Sequence, residues 1–127
     1  MWRVAIYAHE ASGRAGARHL DRQIADLAAQ IARQPGWCHV VTCVDQGAGQ
    51  TRPGLTALLA DAPERIDLVC VERYGRLSTD RGELAAILAQ LGGAGARVVV
   101  MGERPARRLA RLVANLALAD LVGEALR

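Results

Sequence analysis

Ile66-Asp67-Leu68-Val69-Cys70-Val71 is the stretch that decides the fold. Only Asp67 interrupts its apolar run, so the segment has no polar face for water and reads as a strand buried on both sides, as parallel strands in α/β proteins are. Cys70 is then ordinary core. Upstream, Pro53 opens a short helix carrying Leu55, Leu58 and Leu59, preceded by a Gly-rich loop over Asp45 to Arg52 and a β-branched strand over Val40 to Val44. Before these, Val4 to Ala8 reads as a strand and His9 to Arg18 as a loop. From His19, Leu20, Ile24, Leu27, Ala28 and Ile31 recur at helical spacing until Gln34-Pro35-Gly36 stops the run. Downstream, Glu72 to Thr79 is a loop. Asp80 with Glu83 forms a capping pair before Leu84, Ile87, Leu88 and Leu91, and Gly92-Gly93 closes that helix. Arg97 to Met101 is a fourth strand, and Pro105 opens a last helix. The alternation predicts a three-layer α/β domain: a mostly parallel sheet of four to five strands, helices on both faces and a C-terminal helix.

The composition agrees with one domain over residues 1–127. The 127 residues are 51% hydrophobic and 23% charged, with mean hydropathy +0.09, which suits a packed core and excludes a disordered tail. The length does not accommodate a catalytic and a separate recognition domain. Aromatic residues are 3% and phenylalanine is absent, which argues against base stacking on aromatic platforms. The net charge is +3, and the 16 basic residues are all arginine, the better side chain for bidentate phosphate contact. That charge is still far from the density of a dedicated DNA-binding arm. Cys38, Cys43 and Cys70, like His9, His19 and His39, show no metal-ligand spacing, and an odd cysteine count argues against a disulfide framework. No metal is expected. Met1 to Val4 begins a strand instead of an export signal, and no apolar run is long enough to span a bilayer, so no membrane partner and a cytoplasmic location are expected.

In such sheets ligands gather at the carboxyl ends of the strands, here the loops after Ala8, Val44 and Val71. Those loops hold Arg14, Arg18, Arg52, Arg73 and Arg76, with His9, Glu10, Ser12 and Asp45 beside them. Two readings stand level on pattern: a site for an anion such as a phosphodiester, or loop arginines paired with Glu10, Asp45 and Glu72. No Gly-x-Gly-x-x-Gly follows the first strand and no phosphate loop ends in Gly-Lys-Ser or Gly-Lys-Thr, so no nucleotide cofactor is expected.

Four segments in order resemble the catalytic domain of serine recombinases, the resolvases and invertases. Arg3-Val4-Ala5-Ile6-Tyr7-Ala8 resembles the first strand, and Leu20-Asp21-Arg22-Gln23 the first helix. Arg52-Pro53-Gly54-Leu55 with Leu58-Leu59 matches the entry to the second helix. Asp67-Leu68-Val69-Cys70-Val71, then Arg76-Leu77-Ser78, matches the third strand and its active loop. The resemblance implies a resolvase-like fold. It also implies attack of a serine on a phosphodiester, with clustered arginines holding the phosphate.

The family's first loop reads Tyr, any, Arg, any, Ser. Here the frame is Tyr7, Ala8, His9, Glu10, Ala11, with histidine at the arginine position and alanine at the nucleophile. Alanine cannot attack phosphorus. The later loop keeps Arg76, whereas Gly75 and Thr79 replace the family's aspartate and second arginine, and Ala48 stands where serine is common. Two lost arginine contacts at roughly 1.5–3 kcal/mol each would slow the reaction by some hundreds of fold or more. Gln23, Asp45, Arg52 and Arg76 are retained at matching positions, so the resemblance makes them, with His9, the phosphate or DNA contacts. Ser12 lies one residue late and would need a bulge to point into the site.

The last helix, from Pro105 to Arg127, spans about six turns. The resemblance implies that it makes a dimer interface, and Leu109, Leu112, Val113, Leu116, Leu118, Leu121 and Val122 cover more than one narrow face, as a helix with a second partner would. A homodimer or higher oligomer through this helix is expected, with weak non-specific DNA binding and no recognition domain after it. A larger recombinase or a regulatory protein is a further candidate partner. Three functional readings follow. The first is a recombinase-fold domain that has lost cleavage and strand exchange and serves as an oligomerising or regulatory module. The second is a working site-specific recombinase domain with Ser12 as nucleophile. The third, an α/β domain binding a small anion at Arg52 and Arg76, has no ligand motif behind it.

Overall fold

The computed structural model describes residues 1–10, 14–47 and 51–102. Ala11, Ser12, Ala48 and the expected helix from Pro105 lie outside the described residues. The elements run β1 (Trp2–Glu10), α1 (Arg14–Ala32), β2 (Trp37–Gln46), α2 (Pro53–Arg65), β3 (Leu68–Val71), a single 3-10 turn (Tyr74–Arg76), α3 (Arg81–Gly93) and β4 (Arg97–Val100). The four strands form one sheet in the order β2-β1-β3-β4, every neighbouring pair parallel. The three-layer α/β expectation therefore holds, with four strands among the described residues.

β1 lies inside the sheet, and Val4 to Ala8 are wholly buried. Alternation along it sorts the core into two layers. Val4 and Ile6 pack with Leu27 and Ile31 of α1 and with Leu68, Cys70, Val99 and Met101. Ala5 and Tyr7 face the other way, into Leu55, Leu58 and Ala62 of α2 and Ile87 and Leu91 of α3. Burial pushes the Cys70 thiol up to about 12, so this cysteine is core and not chemistry.

β2 carries an irregularity that periodicity did not reveal. Val4 pairs with His39, but Ala5 pairs with Val41, so Val40 is an extra residue bulged out of the ladder. A one-residue shift exchanges the faces of a strand. Trp37 consequently packs in the α1 layer while Val41, four residues on, packs in the α2 layer together with Cys43. Without the bulge, Asp45 would point away from α2.

The strands are longer than expected where they carry polar residues. His9, Glu10, Asp45 and Gln46 belong to the β1–β2 ladder, not to loops, because each continues the parallel pairing. α1 begins at Arg14, earlier than the expected His19, and Ile66 is buried just before β3 rather than within it. α3 starts as the capping pair predicts: the Asp80 side chain accepts the Glu83 amide at 2.7 Å. The reciprocal contact is relayed, since the Ser78 hydroxyl accepts the Asp80 amide at 3.0 Å and lies 3.1 Å from Glu83 Oε2. At the amino ends of the strands, Arg3 donates to both Asp67 oxygens and to Glu64 O, tying β1 to the α2–β3 connection. No helix among the described residues is long and apolar enough to cross a membrane.

Candidate functional site

The polar residues of the sheet gather where β1, β2 and β3 end. Asp45, near the end of β2, is 6% exposed and fully engaged. Its Oδ1 accepts the Gly54 amide at 2.7 Å, and its Oδ2 accepts the Leu55 amide and the Tyr7 hydroxyl, each at 2.8 Å. Arg52, at the N-cap position of α2, makes no side-chain cap bond. A carboxylate from a different element thus satisfies the helix's first free amides and compensates its positive end. The approach is close enough to require glycine: a Cβ on Gly54 would meet Val44 O at 2.6 Å. Burial, and then the bond to Asp45, raise the Tyr7 phenol well above its usual range.

Arg52 fastens three pieces of the chain together. Its Nη2 donates to the Tyr7 hydroxyl at 2.5 Å and to Arg76 O at 2.6 Å, its Nη1 donates to Leu77 O, and its guanidinium stands 5.3 Å from the centre of the Tyr7 ring. Arg52, Tyr7 and Asp45 make a continuous chain of donors and acceptors from the 3-10 turn to α2.

Arg76 is held by carboxylates. Its Nε and Nη2 donate to Glu72 Oε1 at 3.0 and 2.7 Å, and its Nη1 lies 3.0 Å from Glu10 Oε2. The Arg76 and Glu10 side chains are 13% and 15% exposed, so this pair is largely withdrawn from solvent. His19 Nδ1 stands 3.8 Å from the same Glu10 oxygen. Among the described residues of the site, Arg76 faces Glu10 and Glu72, and Arg52 reaches Asp45 through the Tyr7 hydroxyl.

Gln23 serves the backbone of β1. The ladder to β3 stops at Ile6 and Cys70, leaving His9, paired with Asp45 of β2 on one side, without a strand on the other. Gln23, 2% exposed, replaces that strand: Oε1 accepts the His9 amide at 3.2 Å and Nε2 donates to His9 O at 3.3 Å. The His9 ring turns toward β2, with Nε2 3.2 Å from Gly47 O.

Of the residues singled out from sequence, Asp45, Arg52 and Arg76 converge, with His9 and Gln23 paired beside them. Arg18 and Arg73 are exposed. Ser12 and the side chain of Arg14 lie outside the described residues. Arg76 pairs with Glu10 and Glu72, and is withdrawn from solvent where the pairing reading had solvated loop arginines. Sequence reasoning placed Tyr7 only as the start of the family's first-loop frame and missed that its hydroxyl links Asp45 to Arg52; the one signal for that role was a hydroxyl inside an otherwise apolar strand. Among the described residues no cluster of His, Cys, Asp and Glu is placed to hold a metal ion.

A parallel sheet covered on both faces, with arginines and carboxylates collected at its carboxyl edge, defines the class of α/β domain. The family model for the resolvase N-terminal domain matches residues 4–119, and the chain belongs to that family. Among solved structures it is similar to the C-terminal catalytic domain of ISC1926 TnpA, an IS607-like serine recombinase. That likeness has 26% identity and a TM-score of 0.70, over 90% of this chain and 78% of the other. The N-terminal catalytic domain of TP901-1 integrase matches at 23% identity and a TM-score of 0.68, over 97% of this chain and 98% of the other. A resolvase family site-specific recombinase from Streptococcus pneumoniae shares the fold at 15% identity and a TM-score of 0.71, over 100% of this chain and 91% of the other. No match is found among curated proteins.

Proposed function

We propose that this serine-recombinase-fold domain has lost DNA cleavage and strand exchange and works as an oligomerising or regulatory module. The observation that carries the reading is the pairing of Arg76 with Glu10 and Glu72. A phosphodiester reaching that guanidinium must displace carboxylates whose charge-assisted bonds are worth about 1.5–3 kcal/mol each. The two terminal nitrogens of Arg52 are taken by carbonyl groups and Tyr7. Ala11, at the family's nucleophile position, offers no attacking oxygen.

The test is incubation with supercoiled and nicked DNA followed by a denaturing gel. No covalent protein–DNA adduct is expected. A second reading, a working site-specific recombinase domain with Ser12 as nucleophile, draws on the convergence of Asp45, Arg52 and Arg76 at one site. An adduct that disappears in Ser12→Ala would establish it.

Within the proposed role, a second copy of the chain is the first partner, through the apolar stripe of residues 105–127, and DNA is bound weakly and without sequence preference. A cytoplasmic setting suits the free thiols of Cys38, Cys43 and Cys70. Light scattering on wild type and on a Leu116→Glu/Leu121→Glu variant reads the oligomer, with circular dichroism reporting whether each is folded. A folded wild type that is monomeric at tens of micromolar overturns the interface.

A further inference from the structure

We propose that Glu10 is a built-in occupant of an oxyanion site on Arg76, keeping phosphate and phosphodiester groups out until its charge is removed. The proposal rests on reading the Arg76 cluster as a phosphate site retained without its chemistry. All three nitrogens of the Arg76 guanidinium face carboxylate oxygen: Nε and Nη2 face Glu72, and Nη1 faces Glu10. A tetrahedral oxyanion would compete for these same donors, because the guanidinium fork binds phosphate and carboxylate oxygens alike.

The two carboxylates are held by the sheet. Glu10 is the last residue of β1, paired with Gln46 in the ladder, and its carbonyl accepts the Gly47 amide at 3.0 Å. Glu72 follows the last residue of β3, and its carbonyl accepts the Gly102 amide at 3.1 Å. Both backbones are therefore anchored, and Arg76 lies one short turn away on a segment that Arg52 ties down through Arg76 O. Such a fixed arrangement lets a carboxylate compete with a diffusible anion without losing much freedom on pairing. Among the described residues, Arg52 and Arg76 are outnumbered by Asp45, Glu10 and Glu72, a balance that disfavours a diffusible anion at Arg76. Replacing Glu10 by glutamine keeps the side-chain shape and brings the local charge to balance. Replacing Glu72 as well makes it positive.

The experiment titrates inorganic phosphate and, separately, a short DNA duplex at constant ionic strength, following the arginine Nε–H signals by NMR. It uses wild type, Glu10→Gln, Glu10→Gln/Glu72→Gln and Glu10→Gln/Arg76→Gln. Glu10→Gln is expected to bind phosphate roughly tenfold more tightly than wild type, the double carboxylate variant more tightly again, and the Arg76→Gln background to lose the gain. A matching gain with the duplex extends the site to phosphodiesters, and a gain with phosphate alone supports a site for the free anion. Equal phosphate affinity in wild type and Glu10→Gln, or a gain that survives loss of Arg76, overturns the proposal. If Glu10→Gln is unfolded by circular dichroism, Glu72→Gln, whose native side chain is one-third exposed, makes the same comparison. A covalent DNA adduct in wild type would defeat the loss-of-cleavage reading while leaving this titration to be judged separately.

Discussion

The Asp45 carboxylate stands 2.7 Å from the amide of Gly54 and caps a helix that begins seven residues after its own strand ends. The same group accepts from Leu55 and Tyr7, so it joins β1, β2 and α2 at one point. Asp45→Ala leaves two helix amides and a buried hydroxyl without this acceptor. A loss of about 2 kcal/mol or more is expected in urea unfolding, with Asp45→Asn intermediate because one oxygen remains.

Gly54→Ala should also destabilise the protein, although alanine ordinarily favours a helix over glycine by about 1 kcal/mol. The added Cβ would lie 2.6 Å from Val44 O and 2.9 Å from Val44 C, both backbone atoms that cannot step aside. Thermal unfolding is expected to show a net loss of about 1–3 kcal/mol. A gain in stability would mean that α2 moves off β2 at no cost.

Gln23→Leu tests whether the amide acts through the backbone of β1. Leucine suits the apolar stripe of Leu20, Leu27 and Ile31, yet it leaves the His9 amide and carbonyl unpaired. The loss of two part-buried bonds is expected to outweigh the added apolar contact, for a net destabilisation of about 1–3 kcal/mol. Hydrogen exchange at His9 should accelerate in the same variant.

Acid should loosen the opposite end of the sheet. The hydrogen bonds from Arg3 hold the Asp67 carboxyl below its usual value, so this group contributes stability above its unfolded pKa of about 3.9 and loses it as pH falls through the lower folded value. The pair is exposed and screened by salt, so the effect is small. Asp67→Asn is expected to flatten stability against pH below about 4. An unchanged acid limb would show that the pair adds nothing measurable.

The strands and helices were legible in the sequence because their signals are local. The apolar runs at Val4 to Ala8 and Leu68 to Val71, the leucines of α2 and α3, and the Asp80–Glu83 cap each report how a short segment meets water or ends a helix, and each appears where its pattern placed it. The site was legible only as a gathering of residues. Asp45 lies near the end of β2, and Arg52 and Arg76 on the segments that follow β2 and β3, which any parallel sheet brings to one edge, but their partners depend on register between segments far apart in the chain. Val40 bulges from β2 and sends Asp45 toward α2. β3 ends its pairing early and leaves His9 to Gln23, which periodicity alone would have assigned to the apolar stripe. Glu10 meets Arg76 because β1 outlasts its ladder with β3 and carries the carboxylate to the turn that follows. Burial periodicity is a property of one element, whereas the partner of a buried charge is decided by where several elements stop, and only the folded sheet sets those ends side by side.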